Sequence, residues 1–201
     1  MRAHCLFRTV VVRGKNAVLW QPQSQIMIPG RAGPTRDLHE PVMSAPIPTA
    51  MSEWDIAQWL NTEQSMSLAD LRGQVVLIHA FQMLCPGCVM HAIPQARQVH
   101  EQFADQGAAM IGLHTVFERH DAMQPHALAA FIHEYGVRFP VGVDAPSADG
   151  QPVPRTMARW GLQGTPTTLV VDRQGRLRLR KFGHVSDLPL GAILGRLLAE
   201  A

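Results

Sequence analysis

The chain has 201 residues, of which 46% are apolar and 17% charged, and a formal net charge of +2. That balance speaks against a disordered or collagen-like polypeptide and leaves room for one domain with a full core plus roughly fifty further residues. The charge is unevenly spread: Arg2, Arg8, Arg13, Lys15, Arg31 and Arg36 precede the first acidic residue, Asp37, so residues 37–201 carry 12 basic and 16 acidic side chains. A mildly acidic domain lacks the clustered cations that nucleic acid requires, and no apolar run approaches the roughly 18 residues of a membrane span. Neither nucleic acid nor membrane is an expected partner.

Residues 1–50 scatter Pro and Gly without a sustained period, and Val10-Val11-Val12, flanked by Arg8 and Arg13, is too short for a signal-peptide core. This stretch is expected to be a flexible N-terminal extension, with Met43 or Met51 as alternative starts, and 51–201 to be the folded domain. Without an export signal the expected location is cytoplasmic. Residues 56–60 form a short edge strand, and Leu71-Arg72-Gly73 turns the chain into the nearly continuous apolar run 75–81, a buried central strand. Cys85-Pro86-Gly87-Cys88 follows at once, and behind it Val89, Ala92, Ala96, Val99 and Phe103 recur at steps of three and four, one face of an amphipathic helix. Residues 109–116 form a second buried strand. Residues 127–135 form a helix closed by Gly136, and 139–143 another short strand. The loop 144–154 leads to a short helix at 155–160 that Gly161 ends; Trp160 is expected in the core. A β-hairpin follows, 167–171 and 176–182 around Asp172-Arg173-Gln174-Gly175, and 188–198 is the last helix. Arg176, Arg178, Arg180 and Lys181 alternate at strand period and are expected on a solvated face. Alternation of strands and helices, then a hairpin and a closing helix, predicts an α/β layer fold with a mixed sheet.

Three cysteines do not make a disulfide framework, and two of them stand three apart. At a helix start, unpaired N–H groups and positive partial charge stabilise a thiolate, so Cys85 is the expected nucleophile. Cys88 returns to nearly the same face and is placed to resolve a mixed disulfide on Cys85. Pro86 suits the first helical position because its missing N–H would be unpaired there, and Gly87 leaves the approach free of a side chain. The motif alone leaves redox and metal roles open. Context favours redox, since there is one Cys-x-x-Cys, a structural zinc site needs four ligands, and the nearest helper, His91, lies about 120° around a helix from Cys85. No metal and no cofactor beyond a redox-active Cys85–Cys88 disulfide is expected. The other eight histidines, among them His100, His114, His120, His126 and His133, show no ligand spacing, and Cys5 is incidental.

With these residues in place the sequence resembles the thioredoxin superfamily, in particular its TlpA-like and redoxin (AhpC/TSA-type) thiol-disulfide oxidoreductases. The resemblance covers about residues 54–201 and rests on Leu71-Arg72-Gly73, on Cys85-Pro86-Gly87-Cys88, and on Gly164-Thr165-Pro166-Thr167-Thr168 leading to Asp172-Arg173-Gln174-Gly175. It implies a thioredoxin-like fold, a central mixed β-sheet flanked by helices, with a cis peptide at Thr165-Pro166 facing the cysteines. It further implies that the backbone at Thr165 pairs with an extended substrate segment, and that Thr165, Pro166, Pro86, Gly87 and Leu84 line the substrate site. Leu84 stands where the family has an aromatic residue, leaving Phe81 as the nearby one; Pro94 comes one place later than usual. His79 occupies the position of an Asp or Asn, and the resemblance suggests it as the base that takes the Cys88 proton, a task suited to an ordinary imidazole.

The expected function is thiol-disulfide exchange on a disulfide-containing protein or a low-molecular-weight thiol, in reduction or antioxidant defence, coupled to an unidentified thiol reductant or oxidant. Two alternatives stand beside it. A peroxiredoxin-like thiol peroxidase would place Thr or Ser three before the cysteine, where Gln82 stands, and a Pro earlier, where Ile78 stands. A Cys/His metal-binding module would use Cys85, Cys88 and a histidine. A purely regulatory redox switch is a third use of the same pair.

Overall fold

A computed structural model describes residues 10–12, 15–17 and 50–200. The chain divides into a unit of residues 1–44 and a unit of residues 45–201. In the first, β1 (Val10–Val12) pairs antiparallel with β2 (Lys15–Ala17). Most of the residues expected to form a flexible extension, Cys5 and Met43 included, lie outside the described residues.

The second unit is built on a six-stranded sheet of order β3-β6-β5-β4-β7-β8, with β3 at Ile56–Leu60, β4 at Val75–Phe81, β5 at Ala108–His114, β6 at Val141–Asp144, β7 at Thr167–Val171 and β8 at Leu177–Phe182. β4, β5 and β6 run parallel, while β3, β7 and β8 join antiparallel, so the sheet is mixed. Every residue of β4 is buried, as an apolar run covered on both faces requires. Alternation divides it: Val75, Leu77 and Phe81 share one core with Cys88, Ile93, Leu128 and Leu194, and Val76, Ile78 and Ala80 share the other with Trp54, Met157 and Trp160. His79 falls by the same alternation on the Cys88 side. Trp160 is 4% exposed and donates through Nε1 to Ser52 O at 2.9 Å, in the core as expected.

The helices are α1 (Ile93–Phe103), α2 (Pro125–Glu134), α3 (Arg155–Trp160) and α4 (Asp187–Ala199). Gly136 and Gly161 follow α2 and α3 at φ of 59° and 60°, the left-handed conformation that closes a helix. β6 begins two residues later than the sequence pattern suggests, because Pro140 has no N–H to give to a ladder.

The largest departure lies just after the cysteine pair. Cys88–Ala92 is a π turn in which Ile93 N–H donates to Cys88 O, and regular α-helix resumes at Ile93. Pro94 supplies a reason: it cannot donate to Met90 O, and its ring would crowd that carbonyl in a regular helix. The wider turn absorbs one extra residue, which accounts for a proline one place late. It also shifts the buried face, so that Cys88, Ala92, Ile93, Ala96 and Val99 are buried while Val89 and Phe103 are only half-buried.

The basic residues of β8 are not simply solvated. Arg178 grips Glu200 through two bonds of 2.8 and 3.1 Å and reaches Asp172 at 3.1 Å, where Arg176 also binds at 2.8 Å. Arg173 donates to Leu198 O and Glu200 O at 3.0 and 3.1 Å, closing the end of α4.

α3 begins at Arg155, and Pro154 before it has no side-chain oxygen to cap it. The buried Asp144, from the end of β6, does so instead, accepting from Thr156 N–H at 2.7 Å, Met157 N–H at 2.9 Å and Thr115 Oγ1 at 3.0 Å. Asp144→Ala is expected to cost about 3 kcal/mol, because three buried donors lose their acceptor. The midpoint of urea unfolding reads the loss; a midpoint within error of wild type would show that α3 does not depend on this cap.

Candidate active site

The site forms where β4 runs out. Beyond Phe81 a tight turn brings Cys85 N–H to Gln82 O at 3.1 Å, and Val89 N–H donates back to Cys85 O at 3.0 Å, so Cys85 stands at the helix entrance with Pro86 as its first helical residue. Both cysteines are free thiols. Cys85 is half-buried, whereas Cys88 is 0% exposed.

The second motif meets the first from β7. Thr165-Pro166 is cis, and the Cys85 thiol donates to Thr165 O at 3.5 Å. A Cβ at residue 87 would lie 3.3 Å from Pro166 Cδ, so the absence of a side chain at Gly87 is what lets the proline ring settle on the helix start. Gly183 N–H donates to Pro166 O at 2.8 Å and holds the loop from its other side. The structure thus brings together Cys85, Cys88, Pro86, Gly87, Thr165 and Pro166, with Leu84 at the rim, 54% exposed. Phe182 stands beyond it, 51% exposed and against Gly164, where a Cβ would come within 2.9 Å of its ring.

His79 lies on the Cys88 side of β4. It is 1% exposed and directly opposite Thr168 in the β4–β7 register, with Nδ1 3.2 Å from Thr168 Oγ1. Nε2 is buried without a partner. Burial, and secondarily the charge of His184, holds His79 down to about 4, so it is a weaker base at rest than its residue type suggests. Cys88 is pushed the opposite way, up to about 12, by burial and then by its interaction with Cys85. A proton does not pass readily between groups so placed. The Cys85 contribution, however, depends on a free Cys85 sulfur that bonds and repels; once Cys85 is tied up in a mixed disulfide, that contribution is removed and Cys88 becomes easier to ionise.

Two residues here are not visible in the motifs. Gln82 is 2% exposed, and its Nε2 donates to Thr165 Oγ1 at 3.3 Å, bridging the two halves of the site. Sequence marked it only as the residue three before Cys85, where a peroxidase has Thr or Ser, and not as a bridge to Thr165. His184 shares a ring contact of 5.0 Å with His91, and nothing in sequence spacing links them. Among the described residues no three His, Cys, Asp or Glu side chains are gathered to hold a metal. Among the described helices, none is long and apolar enough to cross a membrane.

Comparison with known proteins bears on the family and the fold. The AhpC/TSA family profile matches residues 49–180. A solved thioredoxin-like superfamily protein is 52% identical, with a TM-score of 0.73 over 77% of this chain and 98% of its own. A thiol-disulfide isomerase from Corynebacterium glutamicum is 49% identical, with a TM-score of 0.71 over 75% and 96%. Protein DipZ of Mycobacterium bovis is 31% identical over 151 residues, 73% of this chain. The match spans about a fifth of DipZ itself, 20% of its length. A thiol:disulfide interchange protein DsbE of Allochromatium vinosum is 24% identical over 75% of this chain and 72% of its own.

Proposed function

Since the chain belongs to the AhpC/TSA family and has a thioredoxin-like fold, we propose that it is a thiol-disulfide oxidoreductase in which Cys85 attacks and Cys88 resolves. The observation that carries this reading is the inequality of the two thiols: Cys85 is reachable and rests against Thr165 O, while Cys88 is sealed behind it.

In the reducing direction the Cys85 sulfur attacks a substrate disulfide, forming a mixed disulfide and expelling the first substrate sulfur. Cys88 then gives up its proton and attacks Cys85 Sγ. The Cys85–Cys88 bond forms, the bond to substrate breaks, and its electron pair leaves on the second substrate sulfur. The substrate gains two electrons and the pair loses them, to be restored by an external thiol reductant; the same steps run backwards oxidise. His79 is the base for the second step. With Nδ1–H donating to Thr168 Oγ1, Nε2 holds the lone pair that receives the Cys88 proton.

The substrate is a disulfide-containing protein segment, laid in extended form along the backbone at Thr165 and bordered by Leu84 and Phe182, or a small disulfide presented the same way. In a reducing compartment the pair serves reduction and antioxidant defence. Gln82, whose amide is committed to Thr165, supports disulfide exchange over a peroxidase, which needs a hydroxyl at that place to orient peroxide.

Trapping tests this reading. Cys88→Ser is expected to accumulate a mixed disulfide between Cys85 and its target, visible on non-reducing gels and discharged by dithiothreitol. If Cys85→Ser collects more adducts than Cys88→Ser, the two roles are exchanged.

A further inference from the structure

Each residue of the loop that faces the cysteines is held by a different part of the fold. Gly164 O accepts from Thr167 Oγ1 at 2.7 Å, and the ring of Phe182 packs against this glycine. Pro166 O accepts from Gly183 N–H at 2.8 Å, and the proline ring rests on Gly87. Thr165 is held from within the site. Cys85 donates its thiol to Thr165 O at 3.5 Å, and Gln82 donates through Nε2 to Thr165 Oγ1 at 3.3 Å. The first of these bonds cannot outlast attack, because a Cys85 sulfur joined to substrate has no proton to give; the Gln82 bond remains. Among the described residues neither the N–H nor the C=O of Thr165 is paired with another backbone group, since β7 begins only at Thr167.

Gln82 reaches both halves of the site. Its carbonyl oxygen accepts from Cys85 N–H at 3.1 Å, and its amide holds Thr165. One residue thus sets where the free backbone of Thr165 stands relative to the attacking sulfur. Gln82 is 2% exposed, and its Oε1 is buried without a partner. A buried acceptor left unpaired lowers stability, and an apolar side chain of similar volume avoids that loss. Packing alone therefore does not account for an amide here.

We propose that Gln82 is a positioning residue that makes the site selective for a cysteine carried in an extended polypeptide over a small disulfide. The inference rests on the exchange reading above and narrows its substrate class. By fixing Thr165 Oγ1, Gln82 holds the N–H and C=O of Thr165 in the orientation that pairs with a substrate backbone, so binding does not first have to order the loop. A small disulfide has no backbone to pair and gains nothing from the tether.

Two probes with the same reacting bond test this: a short unstructured peptide whose central cysteine bears thionitrobenzoate, and mercaptoethanol bearing the same group. The full chain, carrying Cys5→Ser and fully reduced, is mixed with an excess of either, and release of the coloured thiolate is followed as the probe concentration rises. The ratio of the two rates below saturation cancels differences in thiol reactivity and in the amount of folded protein, and the wild type is expected to favour the peptide. Gln82→Met removes the amide at similar volume, and Thr165→Val removes the hydroxyl. Each is expected to lower the ratio about tenfold, through a higher half-saturating peptide concentration and not through the limiting rate. The double variant is expected to lose no more than either single one, because both remove the same bond. An unchanged ratio in either variant overturns the proposal, and so does a loss of about a hundredfold in the double variant, the product of independent effects. Thr165→Val decides by itself should Gln82→Met fail to fold. A wild type that reacts equally with both probes removes the selectivity and leaves exchange standing, whereas release from neither probe removes the exchange reading itself.

Discussion

Cys85→Ser is expected to lower disulfide reduction by about a thousandfold or more, and the remaining cysteine is expected not to substitute for it. Cys88 is 0% exposed, so no external disulfide reaches it without opening of the helix start. Its thiol is also pushed up to about 12, by burial first and by Cys85 second. At pH 7 a thiol held that high is almost entirely protonated. Cys88→Ser, by contrast, keeps the reachable sulfur and should retain the first attack at close to the wild-type rate while losing turnover. Brief iodoacetamide treatment of the reduced protein, followed by mass spectrometry, checks the same asymmetry without a substrate. Carbamidomethyl is expected on Cys85 and not on Cys88, and equal labelling would contradict the buried resolving thiol.

Stability is expected to fall by several kcal/mol between pH 6.5 and pH 4, a loss that sets in above the range where carboxylates ordinarily titrate. His79 and His114 are both 1% exposed and both held down to about 4, in each case by burial first. Neither ring nitrogen of His114 has a partner, and its ring lies 5.3 Å from Phe81. In the unfolded chain each imidazole binds a proton near pH 6.5; in the folded chain it does so only near 4. Through that interval the unfolded state carries more protons, so acidification favours it. The loss approaches about 3 kcal/mol for each histidine and is complete below the folded value, where both states are protonated. Above pH 7 these two groups contribute no dependence. His114→Phe keeps an aromatic ring beside Phe81 and removes the titration, so its unfolding free energy should be less sensitive to pH in this interval and should exceed the wild-type value at pH 4.5. An unchanged pH slope in that variant would assign the acid sensitivity elsewhere.

The frame of the fold was open to reading because its signals are local. An apolar run of seven residues made β4, Gly136 and Gly161 ended helices where their left-handed φ values require, and the Asp172–Gly175 turn fixed the hairpin. The cis peptide at Thr165-Pro166 followed from a resemblance rather than from any period. What stayed hidden depends on residues far apart. Gln82 and Thr165 are 83 positions apart, and the cap on α3 comes from a strand that ends at Asp144, well before Arg155. His184 acquires a neighbour only when the segment after β8 folds against α1. His79 could be nominated from its place before Cys85, but its depressed basicity comes from burial that residue type does not disclose.

The π turn at Cys88–Ala92 gives this helix a tolerance to changes of length. Upstream of it the phase is set by Cys85 and Pro166, and downstream by Ile93, Ala96 and Val99 against the sheet. The extra residue between them takes up the difference, so loss of one residue inside those five positions would restore a regular helix with both ends in register. Relatives that differ by one residue here can therefore carry the same thiol chemistry on the same core. Divergence in this stretch changes which side chains surround the site, His91 among them, without disturbing what the site is anchored to.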